Sequence, residues 1–432
     1  MLKKVILFIL LTAALFSSFS LYANAWNLSE SEGESEAYYL YNFENELVMA
    51  QKNINKIIEA SSTVKLMTAC IALESGIDSD TLVTITNDMI KNVSGRFMGL
   101  KVGDKMTFGD LLYSMICASF NDAAQAIALT VSDNVDDFIK LMNQKAEALG
   151  MNSTRYFDIT GLSSESQTTV EDIIKLSIHL SKNNDFVAIS STKSYQLSSN
   201  ATCEYNKITN RSTLLSTYKG VSNFNTGSSS DDQDSAVIYL NNGKLSFLCI
   251  VMDATSSTND NTNVAEKYAN RLLYHGLYDY SNRVVLNGNK AVASLPVKYS
   301  ISDDEVNIGT DGDISAYISD ELDLSDGISY SYYIFNGELV APLNAGDEVG
   351  VITVSQNGRF ITSAKLVVKE SVEKNTFLYV LDLIKSFILS KTFLFFIVFF
   401  LVLMTIYYFK TKATLDKMYK QGPRKTLKYY RK

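Results

Sequence analysis

The sequence predicts an α+β domain built on an antiparallel sheet with helices, a small all-β domain behind it, and a transmembrane helix near the C-terminus. Three observations carry that prediction. Between residues 37 and 282, apolar residues recur at helical spacing in several segments, and strand-like alternating runs interrupt them in irregular order. From residue 283 to 370 the texture changes to short alternating runs broken by Asn-Gly and Asp-Gly turns. Finally, "TFLFFIVFFLVLMTIYYF", residues 392–409, holds 18 residues without a charge, within the range that spans a bilayer.

Taken in order, residues 1–25 end in Ala-Asn-Ala after two lysines and an apolar run, the layout of a cleaved secretory signal peptide. Residues 26–36 are polar and acidic, and read as a flexible leader. "AYYLYNF" and "ELVMAQ" predict a strand hairpin, and Ser62 to Glu74 a mostly apolar helix. "TFGDLLYSMICAS", "NDAAQAIALTV" and "VDDFIKLMNQKAEALG" predict three successive helices, the second capped by Asn121-Asp122 and the third ending at Gly150. "TVEDIIKLSIHLSKN" is a further amphipathic helix. "SAVIYLNNGKLSFLCIVMDA" predicts a hairpin turning at Asn-Asn-Gly, and "NVAEKYANRLLYHGL" a helix stopped by Gly276. Residues 371–391 form a linker whose Phe377, Leu381, Ile384 and Ile388 share one helical face suited to a membrane surface. Residues 410–432 carry nine Lys/Arg against one Asp, so the positive-inside rule makes this tail cytoplasmic and puts everything before residue 392 outside.

The formal net charge is −8. Leaving out the tail and the two signal lysines, 28 basic residues face 46 acidic ones, a balance of −18 that argues against nucleic acid as a partner. Three of the four cysteines, Cys70, Cys117 and Cys249, sit in apolar runs, and with Cys203 they read as free thiols rather than disulfides. No Cys/His spacing points to a metal, so neither metal nor cofactor is expected. With only His179 and His275, both in amphipathic helices, a Ser-His-Asp enzyme has little to build on. Any hydrolytic base must be another residue, and lysine is the obvious candidate.

Ser62-Thr63-Val64-Lys65 supplies one. Positions i and i+3 share a helix face, so the Lys65 amine can reach the Ser62 hydroxyl. A lysine buried beside a serine loses its charge more readily and can take the serine's proton. The same spacing recurs at Ser190/Lys193, Ser216/Lys219 and Ser371/Lys374, but only Ser62/Lys65 leads into an apolar helical run that would bury the lysine. Ser119-Phe120-Asn121 adds a second hydroxyl and an amide, and Asn225-Thr226-Gly227 offers a small residue against which a substrate can lie.

In this order and spacing the segments resemble the penicillin-binding D-alanyl-D-alanine carboxypeptidases, the low-molecular-weight serine peptidases of peptidoglycan. "EASSTVKLMTACIALESG" is similar to the family's nucleophile helix, "GLKVGDKMTFGDLLYSMICASFNDAAQAIA" to its second-motif segment, and "NRSTLLSTYKGVSNFNTG" to the stretch around its third. "ELVAPLNAGDEVGVITVSQNGRFITSAKLVV" is like its C-terminal β-domain. The resemblance implies a β-lactamase-like transpeptidase fold with Ser62 as acylated nucleophile and Lys65 as general base. It makes Ser119 and Asn121 the relay and positioning groups, and Asn225, Thr226 and Gly227 the substrate-binding residues. An oxyanion hole would come from the Ser62 amide and an amide just after Gly227. The implied partners are peptidoglycan stem peptides, β-lactams as covalent inhibitors, and the cell membrane through the C-terminal helix.

The chain departs from the family pattern where Asn225 replaces the lysine of the third motif. A charge-assisted hydrogen bond is roughly twice as strong as a neutral one. Its loss at a desolvated site costs about 2–4 kcal/mol of transition-state binding, or about 30- to 1,000-fold in rate. Val64 also stands where the family commonly has threonine, no proline precedes the nucleophile segment, and the "SSESQTTVED" loop lacks the usual histidine. Two readings follow: an active D,D-carboxypeptidase, or a weak or inactive relative that binds stem peptides or organises wall machinery. A β-lactamase is disfavoured because no Glu-x-x-Asn follows Gly161.

Overall fold

A computed structural model describes residues 34–198, 201–203, 205–228, 233–255, 263–301, 305–324, 327–356 and 358–420. The expected signal peptide and most of the leader lie outside these residues, as does the end of the basic tail. The chain divides into two compact units, one running through Ser281 with Tyr317–Leu322, the other formed by Asn282–Ala316 and the residues from Asp323 onward.

The first unit is organised by a five-stranded antiparallel sheet. Its strands are β1 (Glu34–Asn42), β2 (Leu47–Lys52), β3 (Val221–Ser228), β4 (Asp234–Asn241) and β5 (Ser246–Thr255), in the order β2-β1-β5-β4-β3. β1 takes up the last three residues of the expected leader. Register is fixed by apolar pairs such as Tyr39 opposite Ile250 and Ile238 opposite Cys249. Because side chains alternate along a strand, Leu248, Ile250 and Met252 enter one core while Phe247, Cys249 and Val251 enter another. Both faces are apolar because both are covered.

The larger core gathers the helices α1 (Val64–Glu74), α2 (Phe108–Ala118), α3 (Asn121–Val131), α4 (Val135–Ala148), α5 (Val170–Leu180) and α6 (Asn184–Ser190). The smaller core is closed by α7 (Val264–Tyr278), through Ala265, Ala269, Leu272 and Leu273. Gly276 does not stop α7; it lies within it. A Cβ there would come 3.1 Å from Phe247 and 3.3 Å from Leu40, so the glycine lets the helix settle on the sheet.

α2 begins at a reciprocal capping box between Thr107 and Asp110. The expected cap of α3 by Asn121-Asp122 is not what the structure has: Phe120 occupies the cap position without a side-chain cap, Asn121 donates to Ser94 O, and Asp122 accepts from Ala123 N within the first turn. Asp122 accepts the backbone N–H groups of Met98, Gly99 and Leu100, pinning a loop against α3. All four cysteines are free thiols, three of them buried.

The second unit holds a six-stranded sheet ordered Ile328–Ile334, Glu348–Gln356, Arg359–Val368, Glu305–Gly309, Ala293–Lys298 and Leu339–Val340. Ile352, Val354, Leu366, Val306 and Ile308 form its interior. Helix α8 (Thr376–Ile388) follows, with Phe377, Leu381, Ile384 and Ile388 all exposed. Helix α9 (Lys391–Lys420) contains the apolar stretch and is long and apolar enough to cross a membrane. It extends beyond the 18 uncharged residues into the basic segment.

Candidate active site

Ser62 sits in a short 3-10 turn, Ser61–Thr63, immediately before α1. Ser61 has φ 48°, a left-handed conformation uncommon for a non-glycine residue. Strain of this kind persists only where surrounding structure enforces it. The Ser62 side chain is 3% exposed. Its Oγ lies 2.9 Å from Ser235 Oγ and accepts a hydrogen bond from Asn225 Nδ2, also at 2.9 Å. Asn225 therefore touches the nucleophile candidate directly.

Asn225-Thr226-Gly227 lies on β3, an edge strand of the sheet, rather than in a turn leading to a hairpin. Alternation along the strand directs Asn225 and Gly227 to the Ser62 side. A Cβ on Gly227 would fall 2.3 Å from Ser62 Oγ, so any larger residue collides with the hydroxyl. The same point is 3.9 Å from Ser119 Oγ. Ser62, Ser119, Asn225 and Gly227 thus surround one small volume. Thr226 points the other way, donating to Asn223 Oδ1 at 2.7 Å.

Ser119 terminates α2 in a left-handed conformation, φ 59° and ψ 36°, which turns the chain sharply into α3. Two residues on, Asn121 donates from Nδ2 to Ser94 O at 2.7 Å, while its Oδ1 is buried without a hydrogen-bond partner among the described residues. A buried unpaired acceptor is costly, and an ammonium or a substrate N–H is what would satisfy it.

Lys65, the second residue of α1, is 8% exposed. Burial lowers its pKa from 10.5 to about 7; Asp158 pulls it back up, and the Arg211 guanidinium pushes it further down. Its Nζ donates to Thr160 O at 2.6 Å. The amine and the Ser62 hydroxyl are not hydrogen-bonded to each other: each is held by different neighbours. Asp158 builds the turn that presents Thr160 O, accepting N–H groups from Thr160, Gly161 and Leu162. A half-neutral amine at neutral pH can accept a proton, and the arrangement has the parts of an acyl-transfer site.

Sequence reading missed Ser235, Asp158, Thr160 and Arg211. Asp158-Ile159-Thr160-Gly161 carries an Asx-turn signature that could have marked the second and third; Ser235 had no signal. The two histidines stand apart from this chemistry. His179 pairs with Glu74 at 2.7 Å, and His275 contacts Asp279. Cys70, Glu74 and His179 do bring possible metal-ligand atoms within 4.8 Å of one another, which spacing in sequence did not reveal. There Lys145 already neutralises Glu74 at 2.7 Å, and burial pushes the Cys70 thiol up to about 12.

Residues 24–256 match the D-alanyl-D-alanine carboxypeptidase family, peptidase S11, and residues 280–374 match the C-terminal domain of penicillin-binding protein 5. The chain is 24% identical over 362 residues to the D-alanyl-D-alanine carboxypeptidase DacF of Bacillus subtilis, covering 81% of this chain and 89% of the relative. It is 26% identical over 365 residues to DacA of Escherichia coli, covering 82% and 87%. Among solved structures, penicillin-binding protein 5 of Haemophilus influenzae superimposes with a TM-score of 0.54 at 22% identity, over 79% of this chain and 98% of that one. The carboxypeptidase DacD of Francisella tularensis does so with a TM-score of 0.56 at 20% identity, over 79% and 94%. These two support the penicillin-binding-protein fold, an N-terminal α/β unit followed by a β-domain. With its family match spanning more than half its length, the chain belongs to the D-alanyl-D-alanine carboxypeptidases and is a serine-type enzyme of that family.

Proposed function

We propose that the protein is a membrane-anchored carboxypeptidase that removes the terminal D-alanine from peptidoglycan stem peptides through a Ser62 acyl-enzyme. The observation that carries this reading is the convergence of Ser62, Ser119, Asn225 and Gly227 on one volume, with a buried, half-neutral Lys65 on the same helix start.

In acylation, Ser62 Oγ attacks the carbonyl carbon of the D-Ala-D-Ala bond while Lys65 Nζ takes its proton. For this the amine leaves Thr160 O and the hydroxyl leaves Ser235. The oxyanion is held by the Ser62 N–H and the N–H of Ser228, the residue after Gly227. Ser119 passes the proton from Lys65 to the leaving nitrogen, the C–N bond breaks, and D-alanine departs. Asn121 Oδ1 holds the ammonium or a substrate N–H. Water then attacks the ester, with Lys65 as base, and Ser62 is regenerated. Asn225 and Thr226 line the strand along which the substrate lies, and β-lactams acylate the same hydroxyl.

The apolar part of α9 is the anchor, and the basic residues after it favour a single-pass protein with its enzymatic unit outside the cell. Residues 1–25 act as the export signal, and residues 283–370 form a β-domain that lies, in sequence, between the enzymatic unit and α9. One observation favours the second reading, a relative of low activity: Asn225 offers Ser62 a neutral donor where the family has a cation. The test is D-alanine release from an N-acylated D-Ala-D-Ala tripeptide by the detergent-solubilised full chain, against a Ser62→Ala control. Turnover above the control supports the carboxypeptidase. Labelling by fluorescent penicillin without turnover leaves the binding role.

A further inference from the structure

One half-buried side chain behind the site gathers five donors. Asp158 Oδ2 accepts the backbone N–H groups of Thr160 at 3.1 Å, Gly161 at 2.6 Å and Leu162 at 2.9 Å, and the Thr160 hydroxyl at 2.8 Å. Its Oδ1 accepts from Ser166 Oγ at 2.8 Å. A neutral carbonyl oxygen has two lone pairs, so four donors converging on one oxygen call for an anion. Charge-assisted bonds of this kind are also roughly twice as strong as neutral ones.

The turn wound round this carboxylate meets the nucleophile segment at four places. Thr160 O receives Lys65 Nζ at 2.6 Å, and Ile159 O receives Thr68 Oγ1 at 2.9 Å, one turn further along α1. Gly161 lies so close that a Cβ on it would fall 1.7 Å from Ser61 O. Ser166 O accepts Ala60 N at 2.8 Å, immediately before the left-handed Ser61. Such a conformation persists only where its surroundings enforce it, and the Asp158 turn is packed against it. Among the described residues Asp158 makes no hydrogen bond to Ser62 or Lys65, so it acts on both through the turn and through its charge. Two charged groups act on Lys65: Asp158 pulls its pKa up, and Arg211, in the loop before β3, pushes it down, with burial outweighing either.

Resting on the carboxypeptidase reading, we infer that Asp158 is a positioning residue for acyl transfer, whose negative charge holds together the turn that docks the Lys65 amine and braces the backbone under Ser62. The nucleophile and its base share one helix start, and a single carboxylate from 93 residues beyond Lys65 keeps them in register. It also opposes the desolvation of the amine, so the same group sets where the lysine waits and how readily it gives up its proton.

The test follows acylation of Ser62 by fluorescent penicillin in the solubilised full chain, as a second-order rate constant against pH. Asp158→Asn keeps the size of the side chain and an acceptor oxygen but not the charge. It should lower the high-pH plateau by about tenfold and move the midpoint of the acid limb to lower pH, because the anion that favours the protonated amine is gone. Asp158→Ala should lower the plateau by about 100-fold or more. Asp158→Glu should return the midpoint to the wild-type position. A purely structural role would lower the plateaus and leave the midpoint unmoved. That result, a midpoint raised in Asp158→Asn, or wild-type rates in Asp158→Ala overturns the inference. Where thermal unfolding shows that Asp158→Ala does not fold, the Asp158→Asn profile decides. D-alanine release by the wild type is measured alongside: acylation without release sinks the carboxypeptidase reading and leaves the Asp158 result standing. A wild type that penicillin does not acylate leaves Lys65 no proton to take, and overturns both.

Discussion

The two ends of the site are built by different means. At the nucleophile end, Ser62 and Lys65 lie within one turn of chain, and burial is the largest cause that brings the lysine to about 7. At the strand end, nothing local suffices: β3 brings a neutral Asn225 against Ser62 from 163 residues away. The contrast teaches that a lysine can be tuned by desolvation, a property of any well-packed core, whereas the polar contacts of the serine require strands that only the fold brings beside it.

Four substitutions or conditions press on that comparison. Ser62→Ala should abolish D-alanine release, a loss of at least about 10⁴-fold in kcat, with penicillin labelling gone as well; residual labelling would place the nucleophile elsewhere. Gly227→Ala should lower kcat/KM by about 100-fold or more, because the methyl group would occupy the space of Ser62 Oγ. Wild-type rates here would mean that β3 moves away from the serine during turnover.

The pH profile isolates the nucleophile end. In the proposed mechanism Lys65 acts when deprotonated, and its pKa is lowered from 10.5 to about 7. Accordingly kcat/KM should climb about tenfold per pH unit below that value and level off above it. Because Arg211 pushes the same pKa down, Arg211→Gln should move the midpoint upward. A profile still rising past pH 9 would remove Lys65 as the base. Asn225→Lys should have the smallest effect, an increase of about ten-fold or less, since the gained charge is offset by loss of the Asn225 hydrogen bond to Ser62. A gain of several hundred-fold would mean that the strand end of the wild-type site is uncompensated.

Much of the fold was legible in the sequence for a simple reason. Amphipathic periodicity is written in consecutive residues, and so are α1 to α5, the β4–β5 hairpin and the turns of the β-domain. The site was legible only in part. Ser62, Lys65, Ser119, Asn121 and Gly227 could be named from motif spacing and resemblance, but their partners could not. Asn225 and Ser62 are 163 residues apart, and Lys65 and Thr160 are 95 apart. No local pattern encodes such pairings. Gly276 and Asn121-Asp122 misled for the same reason: local rules made them a helix stop and a cap, and tertiary packing claimed them for a helix–sheet contact and a loop anchor.

By itself, then, the order of residues determined the secondary elements, the apolar C-terminal helix and the identity of a serine and a lysine one turn apart. Only the folded chain decided that the lysine is desolvated and that the serine rests on Asn225 and Ser235. Side-chain spacing is a local property, while solvent exclusion and charge proximity exist only once distant segments have packed together.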